Sequence, residues 1–152
     1  MFAIELALLV VTSLVAPVDD GAKLPVKWHG TWRGEMSNTN RDGKTMKVPL
    51  RFEVAPIEKS DKLVWRMTYE GERKMVKDYL LVPTKRAGRF QVDEQNGIVL
   101  EARLLGNVMS SVFMMKDQVF TARHELRGDA IQFEVTMARP VKGKKDGRIA
   151  VY

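Results

Sequence analysis

Through most of the stretch from Trp28 to Met137 apolar and polar residues alternate one by one, and every run ends at a turn too short to hold a crossover. Trp28, Gly30, Trp32, Gly34 and Met36 share one face, while Arg33 and Glu35 take the other. Met46, Val48, Leu50, Phe52 and Val54 then alternate with Lys47, Arg51 and Glu53; Leu63, Trp65, Met67 and Tyr69 alternate with Arg66 and Thr68. The pattern returns at Phe120, Ala122, His124 and Leu126, and again at Ile131, Phe133, Val135 and Met137. A period of two puts neighbouring side chains on opposite sides of a β-strand, and no part of this stretch carries the helical period.

The breaks carry turn chemistry. Asp42-Gly43, Asn96-Gly97 and Gly128-Asp129 are hairpin signals, and Lys59 to Lys62, Thr84 to Gly88, Gly106-Asn107 and Lys116 to Gln118 supply the others. Strands joined by links this short are antiparallel neighbours. The pattern therefore predicts an all-β, up-and-down meander of about nine strands, within about eight to ten. Only the run from Met75 to Val82 leaves its facing open. Curling such a sheet into a barrel buries its apolar face and removes its edges. A two-sheet sandwich satisfies the same alternation. An outer-membrane barrel, apolar side out, would have to crowd Lys47, Arg51, Glu53, Arg66, Glu101, Arg103, Arg123, Glu125 and Glu134 into a narrow lumen.

The flanks differ from this middle. Phe2 to Ala16 is nearly all apolar, short for a membrane helix and of signal-peptide length, although no Lys or Arg precedes it and Pro17 follows Ala16 directly. A packed N-terminal helix is the other reading of that run. The expected organisation is a signal peptide or apolar segment over 1–22, a barrel over 23–139 and a basic tail over 140–152, in a secreted or periplasmic protein. The chain lacks cysteine, which excludes disulfides, thiolate catalysis and Cys-ligated metals. Its net charge of +6 favours anionic surfaces, and the tail holds its densest basic run. Elsewhere basic and acidic residues are interleaved, without the basic stripe and exposed aromatics of a nucleic-acid protein, so no specific nucleic-acid partner is expected.

No catalytic constellation stands out. Ser110 and Ser111 lack a Gly-x-Ser-x-Gly elbow, and the carboxylates Glu53, Glu70, Glu72, Asp78, Glu101 and Glu134 have no spacing that implies a paired acid and base. No phosphate loop or metal spacing appears, so no catalytic residue and no metal ligand is assigned. The apolar face instead suggests a lining. Trp65, Met67, Tyr69, Tyr79, Phe113 and Met114 are candidate ligand contacts, with Met109 and Met115 beside them. Nine methionines in a small chain suit an adaptable cavity, or a solid core that uses Met. His124 falls on the same face, either as a ligand contact or as a core histidine satisfied by a neighbour. His29, beside two tryptophans, reads as structural.

The string Gly30-Thr31-Trp32, opening a meander of this length, resembles the calycins, the group of lipocalins and fatty-acid-binding proteins. With Asp93-Glu-Gln-Asn-Gly-Ile-Val-Leu-Glu101 and Leu104-Leu-Gly-Asn107, the chain is most similar to a family of secreted bacterial lipocalin-like barrels, which itself implies no activity. The resemblance implies a calycin-like barrel over Trp28 to Ala138. It also implies a structural closure in which an arginine from the last strand lies across Trp32, with Arg139 the candidate and Arg123 the second. Gly30 to Glu35 and Arg127 to Ala138 also resemble the nitrobindins, which implies haem. Their iron-binding histidine follows the last strand, and Pro140 to Arg148 contains none, leaving His124 as the only interior candidate. The leading expectation is an exported barrel, without assigned catalysis or cofactor, that binds a small apolar molecule. The alternative is a filled barrel that binds a protein or an anionic envelope surface through its tail. A haem protein is third.

Overall fold

Gly30 decides where the sheet begins. Its φ of +143° lies where L side chains rarely go, and nothing crowds the position of a Cβ there, so glycine serves the backbone's turn and not its space. Trp28, expected on the first strand, sits instead in a short 3-10 turn, Val26–Trp28, just before that bend. The computed structural model describes residues 21–39, 42–140 and 149–151. The apolar run over 1–20 and the basic run over 141–148 lie outside the described residues.

Ten strands follow: β1 (Gly30–Thr39), β2 (Thr45–Pro56), β3 (Leu63–Tyr69), β4 (Met75–Pro83), β5 (Arg89–Asp93), β6 (Val99–Leu105), β7 (Val108–Met115), β8 (Gln118–Arg127), β9 (Ala130–Pro140) and β10 (Ile149–Val151). They form one sheet in sequence order, each antiparallel to the next. Strands β1 to β9 make a nearly closed up-and-down barrel, consistent with a calycin-like fold. The single continuous sheet excludes the sandwich. Most charged side chains of the described strands lie outside, where Arg66 meets Asp78 across β3 and β4 at 2.8 Å, and Glu125 meets Arg123 at 2.8 Å and Arg127 at 2.7 Å. An outer surface of this kind faces water and not hydrocarbon.

An odd number of up-and-down strands has a geometric consequence. First and ninth strands run in the same direction, so β1 and β9 face each other across a seam instead of continuing the antiparallel ladder. The strand β10, which the sequence pattern did not reveal, runs antiparallel to β9 and pairs Ile149 to Val151 with Pro140 to Ala138 at one end of that seam. The rest of the seam is an open groove of about 1220 Å³ lined by β1 and β9, which reaches inward to Phe52, Met67 and His124.

One end of the barrel is plugged. The segment entering β1 crosses that end and buries Ala22, Leu24 and Trp28. Ala22 N–H donates to Thr84 O at 2.8 Å, and Lys27 Nζ donates to Asn107 Oδ1 at 2.6 Å, tying the plug to two hairpins. Beneath it pack Val54, Leu63, Leu81, Phe90 and Leu126, all buried. Gly88 permits the tightest approach: a Cβ there would stand 2.8 Å from Leu104 O, while its own carbonyl accepts from Leu104 N–H.

Candidate functional site

Register settles what faces inward beyond the plug. Trp65, Met67 and Tyr69 on β3 stand opposite Tyr79, Lys77 and Met75 on β4, so all six point the same way. With Glu94, Leu100, Ala102, Met109, Phe113 and Ala122 from the following strands, all but Met75 surround a cavity of about 170 Å³. Trp65 divides this space from the plug: its ring is 6.2 Å from Trp28 on one side and edge-on to Phe52 at 4.7 Å. Of the adjacent serines, Ser111 faces in, and its hydroxyl is spent on Glu101 O at 2.5 Å. The walls are therefore apolar, with polar atoms gathered toward the open end.

His124 stands in an aromatic box. Its ring lies 4.5 Å from Phe133, 5.0 Å from Trp65 and 5.2 Å from Phe52. Burial pushes its imidazole down to about 3, so the ring is neutral at ordinary pH. Its Nε2 is sealed from solvent and has no hydrogen-bond partner among the described residues. An axial haem ligand needs a nitrogen with an open coordination direction. The sealed Nε2 does not offer one, and as packed these residues do not fit haem.

The polar end of the cavity is built differently. Burial pushes the Tyr79 hydroxyl up to about 12, reinforced by the negative charge of Glu94, the neighbouring Tyr69 and a hydrogen bond with Glu94. Burial raises Tyr69 as well. Both phenols are neutral donors at ordinary pH. Lys77, half-buried between Tyr79 and Met75 on the same face, takes part in no ion pair among the described residues. At the mouth itself, Met46, Met75 and Met115 occupy inward positions yet remain 58%, 46% and 54% exposed.

A barrel with such an interior is compatible with ligand binding. Comparison with protein-family models, with curated proteins and with solved structures finds no match.

Of the residues singled out from sequence, Trp65, Met67, Tyr69, Tyr79, Phe113 and His124 come together around this space. Met114 does not. It is 71% exposed on the outer side of β7, because Met109, Ser111 and Phe113 set the inward parity and Met114 falls between. The unbroken run from Val112 to Met115 conceals that parity. The expected closure across Trp32 is also corrected. Trp32 belongs to the plugged end, where its Nε1 donates to Trp28 O at 3.2 Å. The same end of β9 is Ile131, paired with Leu126, and Arg139 lies roughly 26 Å further on at about 3.3 Å per residue. An arginine side chain does not span that distance. Arg123 points outward to Glu125. Lys77, Glu94 and Ala102 were missed, although placing Tyr79 inward already implies Lys77 inward two residues earlier.

Proposed function

We propose that this chain is a non-enzymatic barrel that binds a small apolar or amphipathic molecule in its interior. One observation supports this above the others: the side chains of the open half stop short of filling it, leaving about 170 Å³ of apolar space, while those of the plugged half close on one another. Space walled largely by apolar side chains takes up apolar molecules, as an engineered cavity of about 150 Å³ takes benzene. Toluene titrated into the labelled protein should shift the backbone amides of Ala102, Phe113 and Ala122. Ala102→Leu, which fills the space, should abolish those shifts. No shift in the wild type would sink the reading.

Export belongs to the same proposal and is supported by the apolar run from Phe2 to Ala16. N-terminal sequencing of the protein recovered from the cell envelope tests it, an intact Met1 being the contrary result.

A second reading has its own support. Val99, Val112 and Met114 stand exposed on the outer sides of β6 and β7, an apolar patch suited to a protein partner, and the basic tail suits an anionic envelope surface. Salt-sensitive binding to phosphatidylglycerol vesicles, lost on deleting Lys142 to Arg148, would favour the tail. Binding that survives the deletion would remove it.

A further inference from the structure

Lys77 is a charge on the inner face that no described carboxylate answers. Outside the barrel several cations meet carboxylates, among them Lys47 with Glu35 at 2.8 Å, Arg66 with Asp78, and Arg123 and Arg127 with Glu125, while unpaired ones there stand in water. Lys77 stands on the inner side of β4 opposite Met67, lining the cavity, and no carboxylate of the described residues lies within ion-pair distance of it. Glu94, the acid that shares this wall, is engaged by the Tyr79 hydroxyl and by Asn96 Nδ2 at 3.2 Å. The Lys77 stem lies along the wall among Met67, Tyr69 and Tyr79, and its charge is carried at the cavity without a described carboxylate beside it. Lysine is not required here for sheet formation, since β4 is paired on both sides by β3 and β5.

Size supplies the second constraint. About 170 Å³ beside Lys77 matches one aromatic ring with a short chain, and the wider space at the β1–β9 seam begins on the far side of Met67 and His124. We infer that the cavity takes a compact monoanion, a carboxylate carried on a single ring or short chain, with the ring against Trp65 and Phe113 and the carboxylate at Lys77. The Tyr69 hydroxyl, two residues from Met67 on the same face, is placed to donate to the same head group. The exposed methionines Met75 and Met115 at the mouth give the ligand a pliable way in. This inference rests on the interior-binding reading above and narrows it to one ligand class.

Calorimetric titration of the full chain separates the two. The probes are phenylpropionate, the neutral phenylpropanol, the cationic phenylpropylamine and palmitate. Phenylpropionate should bind at least about tenfold more tightly than phenylpropanol, the gain expected from one charge-assisted contact. Lys77→Met should bring the two within about threefold by weakening the acid alone. Lys77→Gln serves if the methionine variant does not fold, and the ranking of acid, alcohol and amine on the wild type needs no variant at all. Equal affinity for acid and alcohol, or tighter binding of the amine through Glu94, overturns the anion and leaves interior binding standing. Palmitate binding more tightly than phenylpropionate overturns the size limit. No binding of the alcohol or the acid overturns both readings together.

Discussion

The two ends of this barrel are made from the same strands and the same alternation, yet one is solid and the other is not. At the plugged end Trp28, Val54, Leu81, Phe90 and Leu126 are all but removed from water. At the open end the inward positions hold Met46, Met75 and Met115, which stay largely exposed, and Phe113, which is half-buried. The difference comes from what crosses the end. The segment from Ala22 to Trp28 delivers an indole into the barrel at one end, while hairpin turns ring the other. Alternation alone makes a barrel; an inserted side chain decides which half of it becomes core.

Truncation on the two sides should differ most. Trp28→Ala should cost about 3 to 5 kcal/mol, as large-to-small changes do in a closed core, and Phe113→Ala about 1 to 2, because its surroundings already include a void. Urea unfolding of both variants measures this. Equal losses would erase the distinction between the ends.

Acid sharpens it next. His124 sits at the boundary of the two halves, in its ring of Phe52, Trp65 and Phe133. Its folded value, about 3, lies below the ordinary histidine value of 6.5. Between those values the unfolded chain binds a proton that the folded chain refuses, so stability is present above pH 6.5 and falls as pH drops. The loss near pH 4.5 is about 2 to 3 kcal/mol, from about 1.4 kcal/mol per unit. His124→Phe keeps the ring and removes the titration, so the difference between the two proteins should vanish at low pH or reverse sign. A pH-independent difference would contradict the burial of that imidazole.

Much of this was legible in the sequence. The nine-strand meander follows from alternation and turn residues, and the inward set of β3 and β8 from unbroken runs such as Leu63 to Tyr69. What stayed hidden has physical causes. Around Met114 four apolar residues in succession carry no parity signal, so facing depends on Ser111 finding a carbonyl inside. Lys77 was overlooked because a lysine on a strand is ordinarily read as solvent-facing. Arg139 was placed by resemblance, and only the shared direction of β1 and β9 shows that it belongs to the opposite end from Trp32. The plug itself has no period to read: Trp28 fits the alternation of β1 and leaves it only through the bend at Gly30.

Adding volume should act oppositely at the two ends. Val54→Phe, in the solid half, should destabilise by about 1 to 3 kcal/mol. Ala102→Leu, whose added methyl groups enter the cavity, should leave stability unchanged or raise it by up to about 1 kcal/mol. A clear loss for Ala102→Leu would mean that the open half is full. Smallest of all, Met114→Ser on the outer side should change stability by less than about 0.5 kcal/mol and leave probe binding intact. A larger effect would return Met114 to the lining.

Xenon pressurised into crystals of the protein tests the unequal filling most directly, since the gas marks empty apolar space. One xenon peak should appear between Trp65, Ala102 and Phe113, with none among Trp28, Leu81 and Phe90. A crystal that takes up no xenon in the open half, or takes it up around Trp28 instead, contradicts the account.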